Sequence, residues 1–211
     1  MNVTRSNMVL ALFFILGSTA SALSQNFKFG IHATPIVSYL STDMPKAETG
    51  GKLQFGFGGI VEYRFAEQYA ISSGFEVINR GGELQVNDTL SDYNPGYLQF
   101  PILLKMRTRE FGYFTYSAEF GLVPAFRTSD GVTFDPEIPN NQRLDSYVNF
   151  FNTIFRFGIG AEYSLGGESS ILVSLTYNRS LFDNIRAEDP RLNERFNYRL
   201  DYVALSFGFL F

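Results

Sequence analysis

Few residues in this chain could carry chemistry. His32 is the only histidine and there is no cysteine, which excludes disulfides, thiolate nucleophiles and thiolate metal sites. A Ser–His pair would need His32 as its general base. His32 lies mid-way along an alternating segment, on its polar side, where a hydrogen-bonded interior filler is the simpler reading. Asp130, Asp135, Asp183, Glu188 and Asp189 fall in long polar stretches. Carboxylates can do acid–base work, but solvated acids, or acids that bind divalent cations weakly, account for these. No His, Asp and Glu spacing matches a metal-ligand motif. Neither Gly81-Gly82 nor Gly166-Gly167 precedes a helix, so no phosphate cradle is indicated. No catalytic group, metal or cofactor is expected.

A second set of charges has a different setting. Glu62, Arg64, Glu76, Lys105, Arg107, Glu119, Arg156 and Glu162 each stand on the polar side of a segment whose other side is apolar. A carboxylate in a narrow interior is costly unless it is paired and hydrogen-bonded. An interior ion-pair network with a structural role is therefore the expectation. A conduction path or a ligand site is the alternative for the same residues.

The elements that would hold these charges are long extended strands. In Tyr97–Arg107, Leu98, Phe100, Ile102, Leu104 and Met106 form one row, and Tyr97, Gln99, Pro101, Leu103, Lys105 and Arg107 form the other. A period of two means a strand whose faces meet different surroundings. The pattern recurs in Phe27–Leu40, Lys52–Phe65, Tyr69–Arg80, Gly112–Arg127, Phe151–Leu165, Ser170–Phe182 and the last segment ending at Phe211. In the Gly112–Arg127 segment Tyr113 falls on the polar row. Connections alternate long and short. Gly81-Gly82 through Pro95-Gly96, Thr128–Val148 and Asp183–Asn197 read as long loops. Each segment reaches the about 9–11 residues that a tilted strand needs to cross a bilayer.

Composition favours the same architecture. There are 23 Phe, 12 Tyr and 19 Gly in 211 residues, a β-rich usage. The formal charge of −4 offers no basic footprint, so nucleic acid is not an expected partner. Arg5, the apolar run Met8–Leu16 and the small residues Ser18–Ala22 have the layout of a secretory signal peptide. The expected organisation is a signal peptide over residues 1–24 and one domain over 25–211. A soluble lipocalin-like barrel would also alternate, but its polar face meets water and should be rich in Lys, Glu, Asp and Asn. Here that face is mainly Gly, Ser and Thr with isolated charges, which suits the crowded inside of a narrow barrel. Tyr63 and Tyr163 near strand ends suit an interfacial aromatic belt. The fold expected is an all-β, eight-stranded antiparallel up-and-down transmembrane barrel with both termini periplasmic. Pro35, Pro101 and Pro124 fall inside strands, where a bulge or a water-filled gap is expected at each.

Tyr97-Leu98-Gln99-Phe100-Pro101-Ile102-Leu103-Leu104-Lys105 resembles the Tyr-Leu-Glu-Ile-Pro-Leu-Leu-Leu-Lys signature of the PorT-like outer-membrane β-barrel family of Bacteroidota. Gly158-Ile159-Gly160-Ala161-Glu162-Tyr163 with Gly166-Gly167 is similar to that family's later strand and turn. Gln99 replaces the usual acidic residue. The resemblance implies an outer-membrane location and, for the family's namesake, a part in type IX secretion. Leu205–Phe211 resembles the C-terminal strand by which barrel-assembly machinery reads outer-membrane proteins. The partners expected are outer-membrane lipid and lipopolysaccharide, the assembly machinery and periplasmic chaperones during biogenesis, and a secretion or surface partner at the outer loops. The function expected is non-catalytic, structural or interactive. A narrow transport pore and a barrel enzyme acting on lipid or peptide are the alternatives.

Overall fold

A chain whose apolar residues recur every second position must place them all on one side of a pleated strand. When that side meets lipid, every backbone group must also find a partner, which only a closed sheet provides. The computed structural model describes residues 26–42, 47–86, 89–129, 132–135, 149–182 and 198–211. The expected signal peptide, the charged loop Asp183–Asn197 and most of Thr128–Val148 lie outside the described residues.

These residues form twelve strands: β1 (Phe27–Thr42), β2 (Ala47–Ala66), β3 (Tyr69–Asn79), β4 (Gly82–Val86), β5 (Thr89–Tyr93), β6 (Gly96–Gln99), β7 (Ile102–Arg107), β8 (Phe114–Ser129), β9 (Val132–Asp135), β10 (Phe151–Gly166), β11 (Ser169–Ser180) and β12 (Tyr198–Leu210). β6 and β7 are two halves of one wall strand, since both pair with β3 on one side and β8 on the other. The wall therefore has eight antiparallel strands, and it closes where β12 pairs with β1 from Gly30↔Leu210 to Thr42↔Tyr198.

The two rows of each strand face as their chemistry requires. Ile31, Leu53 and Ile159 point outward at 64%, 75% and 55% exposure, in the company of Phe29, Phe55, Phe57, Phe155, Phe157, Leu175 and Phe207. Leu98, Phe100, Ile102, Leu104 and Met106 are on this outer face, while Tyr97, Gln99, Pro101, Leu103 and Lys105 are buried inside. Aromatic rings gather at the short-turn end, with Phe27 4.9 Å from Tyr63 and Phe114 5.1 Å from Tyr163. The amphipathic tyrosine rings among them suit the headgroup level.

Several expectations are corrected in detail. Tyr113 is not on an inner row: it lies in the turn before β8, 65% exposed, its ring 6.0 Å from that of Tyr163. The stretch from Gly81-Gly82 to Pro95-Gly96 is not an open loop but contains the hairpin β4–β5, and β9 pairs with β5. These strands continue the sheet from the far end of β2, where Ala47–Gly50 runs past the barrel rim and pairs with β4. The inner face is also more apolar than its share of Gly, Ser and Thr suggests. Ile36, Ile78, Tyr97, Leu103, Val123, Ala125, Ile154, Tyr202 and Ala204 form a buried cluster within it.

None of the three in-strand prolines introduces a bulge. The ladder of β1 with β12 skips Thr34 and Pro35 and resumes in the same register. Pro124 stays within β8, and its carbonyl accepts the Phe100 N–H at 2.9 Å. At Pro101 the wall strand is interrupted between Gln99 and Ile102, yet β6 and β7 keep one register against β3, and from Tyr97 onward against β8, whose ladder shifts only at Gly96. A missing N–H interrupts a ladder without shifting it when the partner strands hold their own alignment on both sides.

Candidate functional site: the barrel interior

Among the described residues, the inward positions of the eight wall strands supply the charged candidates that meet one another, because an eight-stranded barrel is only wide enough for its own side chains. Near the short-turn end, Lys105 of β7 donates to Glu62 of β2 and, at 2.8 Å, to Glu162 of β10. Arg107, two residues further along β7, donates through Nη2 to Glu162 Oε2 at 2.7 Å, and its Nη1 lies 3.5 Å from Glu62 Oε2. Lys28 of β1 is 4.0 Å from Glu162. Two carboxylates thus share cations from several walls.

A second group crosses the middle of the lumen. Arg156 of β10 grips Glu76 of β3 with both Nη atoms, at 2.6 and 2.7 Å. Its Nε donates to Asn178 Oδ1 of β11 at 2.6 Å, and Nη2 donates to the Tyr202 hydroxyl of β12 at 3.2 Å. That hydroxyl in turn donates to Gln99 Oε1 of β6 at 3.0 Å. The planar fork of a guanidinium fits a carboxylate bidentately, so one side chain fixes the spacing of walls on opposite sides. Towards the other end, the buried Arg80 guanidinium lies 3.9 Å from the centre of the Tyr97 ring, within cation–π range. Arg80 also donates to Ser180 Oγ at 3.5 Å, reaching from just past the end of β3 to β11.

His32 sits between these groups. Its Nδ1 is 3.3 Å from Thr34 Oγ1, which is 3.0 Å from Ser206 Oγ, and its Nε2 is 3.9 Å from Glu76. Gly58 makes that position available, since a Cβ there would lie 2.6 Å from His32 Nε2. The carboxylate beside the imidazole is already committed to Arg156, so this arrangement does not supply the oriented base that a nucleophile requires. A cavity of about 40 Å³ remains, lined in part by Glu62, Ser72, Pro101, Glu119 and Ser174. That is room for water rather than for a solute.

Of the charged residues singled out by alternation, Glu62, Lys105, Arg107 and Glu162 meet in one group and Glu76 and Arg156 in another. Glu119 and Arg64 make none of the ion pairs among the described residues. Glu119 lines the cavity, opposite Lys105 in register, while Lys105 bonds to other carboxylates. Lys28, Asn178, Tyr202, Gln99 and Arg80 complete the interior, although sequence reasoning did not assign them to the network. Their place on inward rows was visible. Which walls they would reach was not. Of the loop acids, Asp130, Asp183, Glu188 and Asp189 lie outside the described residues, and Asp135 ends β9.

A closed antiparallel ring with an aromatic, aliphatic exterior and an ion-paired interior defines an outer-membrane β-barrel protein. The model of the outer membrane protein beta-barrel domain matches residues 14–186, and the chain belongs to that family. Among solved structures, the chain is similar to the outer membrane protein OprG from Pseudomonas aeruginosa, with 12% identity and a TM-score of 0.55, covering 88% of this chain and 96% of that one. Neisserial surface protein A gives 11%, 0.47, 85% and 95%, and Ail of Yersinia pestis gives 16%, 0.41, 88% and 99%. At such identities the likeness is one of fold. No curated protein matches the chain. The protein resides in the outer membrane, and barrels of this kind set their short turns at the periplasmic end.

Proposed function

We propose that this barrel is a non-catalytic outer-membrane protein with a structural or interaction role, its lumen closed and its partners met outside. The observation that carries the reading is the pair of ion-paired layers, Lys105–Glu62–Glu162–Arg107 and Arg156–Glu76, stacked on a buried apolar cluster. Among the described residues, the space left beside these layers is the cavity of about 40 Å³, which is room for water. The sheet β4–β5–β9 carries the wall beyond the barrel rim on the long-loop side, which supports contact with a partner there. The PorT-like resemblance of Tyr97–Lys105 extends the proposal to an accessory role in type IX-like secretion. The residual cavity beside Glu119 and Arg156 favours a second reading, a narrow pore.

Planar-bilayer recording separates the two. The closed reading expects no steady single-channel current from the purified protein. Steady currents that change when Glu119 or Arg156 is neutralised would replace it with the pore. Crosslinked pull-down from native membranes then addresses the interaction role: a defined partner retained by the intact protein and lost on trimming β4–β5 supports it.

A further inference from the structure

The periplasmic mouth of the lumen holds more cation than its carboxylates neutralise. Lys28 on β1, Arg64 on β2 and Arg107 on β7 all point inward at the short-turn end, with Lys105 just behind them. The charged groups within reach of Lys28 are Glu162, Arg64, Arg107 and Glu62, and those within reach of Arg64 are Arg107, Glu162, Glu62 and Glu168. The four cations therefore share Glu62 and Glu162 inside the mouth, with Glu168 on the turn at its rim. Both inner carboxylates are already committed to Lys105 and Arg107. Glu119 lies deeper, lining the central cavity.

Hydrogen bonding shows the same imbalance. Arg64 Nε is a buried donor without a hydrogen-bond partner, and Arg107 Nη1, on a side chain 8% exposed, reaches only Glu62 Oε2 at 3.5 Å, too long for a good hydrogen bond. Leaving the Arg64 donor unpaired and the Arg107 donor poorly paired costs free energy that a better-placed acceptor would recover. Lys28, at 16% side-chain exposure, is more open than Arg107. Gathering three like charges at one mouth is unfavourable by itself, and it becomes favourable once an anion is shared among them.

We propose that Lys28, Arg64 and Arg107 form a binding site for a phosphate-type oxyanion presented from the periplasm. Two guanidinium groups supply planar, directional donors and Lys28 supplies a point charge, a combination suited to a tetrahedral dianion. The occluded layer behind Lys105 makes the site a cup rather than an entrance. The proposal is independent of any secretion role, because it concerns one end of the lumen and not the outer loops.

The test is a titration of the intact protein in detergent micelles with inorganic phosphate, at constant ionic strength against chloride. It is followed by NMR of the Arg64 and Arg107 Nε–H signals. The expected result is a saturable shift of both signals. Affinity should fall about tenfold or more in Arg64→Gln, the size of one lost charge-assisted hydrogen bond. Lys28→Gln removes a charge with only one long ion pair, so it serves as the variant least prone to misfold, and heat-modifiable migration verifies folding. A shift that chloride reproduces, or that persists unchanged in both variants, overturns the site. Equal affinity for acetate overturns the dianion assignment and points to a carboxylate from a partner.

Discussion

Arg156 is the side chain on which the middle of the lumen depends. Its guanidinium satisfies Glu76, Asn178 and Tyr202 at once, and it is 6% exposed. Removing one partner of a buried pair leaves an uncompensated charge and costs about 3–5 kcal/mol, whereas replacing both by apolar or neutral groups of similar volume is often tolerated. Arg156→Ala should therefore destabilise by about that amount, and the double variant Glu76→Gln/Arg156→Met should recover most of it. Urea titration of folding into lipid vesicles, arranged as a double-mutant cycle, measures the coupling. A double variant as unstable as Arg156→Ala would show that packing, not charge, governs this layer. The inward face of each charge was legible from alternation, but its partner was not. Lys105 and Glu62 are 43 residues apart. Which carboxylate meets which cation is set by the stagger of the walls, and no local pattern encodes that stagger.

The wall elements show the same division between local and long-range information. Segments such as Phe151–Leu165 could be read directly, because lipid on one side and a filled lumen on the other enforce strict alternation. β4, β5 and β9 could not. They are short and polar, and they form because the end of β2 projects past the rim and presents an edge to pair with. The interruption at Pro101 was foreseeable as a missing donor, but its form depended on neighbours. On β3, Gly74 and Phe75 lie opposite the gap, outside the ladders formed with β6 and β7. Gly74 has φ +148° and a Cβ there would lie 2.0 Å from the Gly59 carbonyl oxygen, so the backbone at this point admits only glycine. Amide exchange in micelles should consequently be faster at Gly74 and Phe75 than at Val173 and Leu175, whose strand β11 pairs without interruption on both sides. Pro101→Ala restores a donor at position 101, and that new amide should itself exchange slowly if it closes the ladder opposite Gly74. Equal protection along β3 and β11 would mean that the ladder is closed there in solution.

For the whole molecule the decisive property is that the sheet is inside-out relative to a soluble barrel. Its large side chains face outward and its charges inward, so stability depends on what solvates the exterior. β10 displays this across the membrane, with Phe151, Phe155, Phe157, Ile159 and Tyr163 exposed in sequence from the outer to the periplasmic end. Phe157 lies near the middle of that run. An arginine at the hydrocarbon midplane of a barrel costs about 2–4 kcal/mol, falling to about 0–1 near the interfaces. Phe157→Arg should therefore reduce the folding free energy in vesicles by that larger amount, and Tyr163→Arg, at the aromatic belt, by the smaller. The gradient is the informative quantity, because a water-exposed surface has no depth: in a lipocalin-like protein both substitutions would be nearly neutral and alike. Denaturant titrations of the two variants and the unsubstituted protein in the same lipid give the comparison. Equal and small effects at Phe157 and Tyr163 would place this face in water and remove the physical basis for the outward rows.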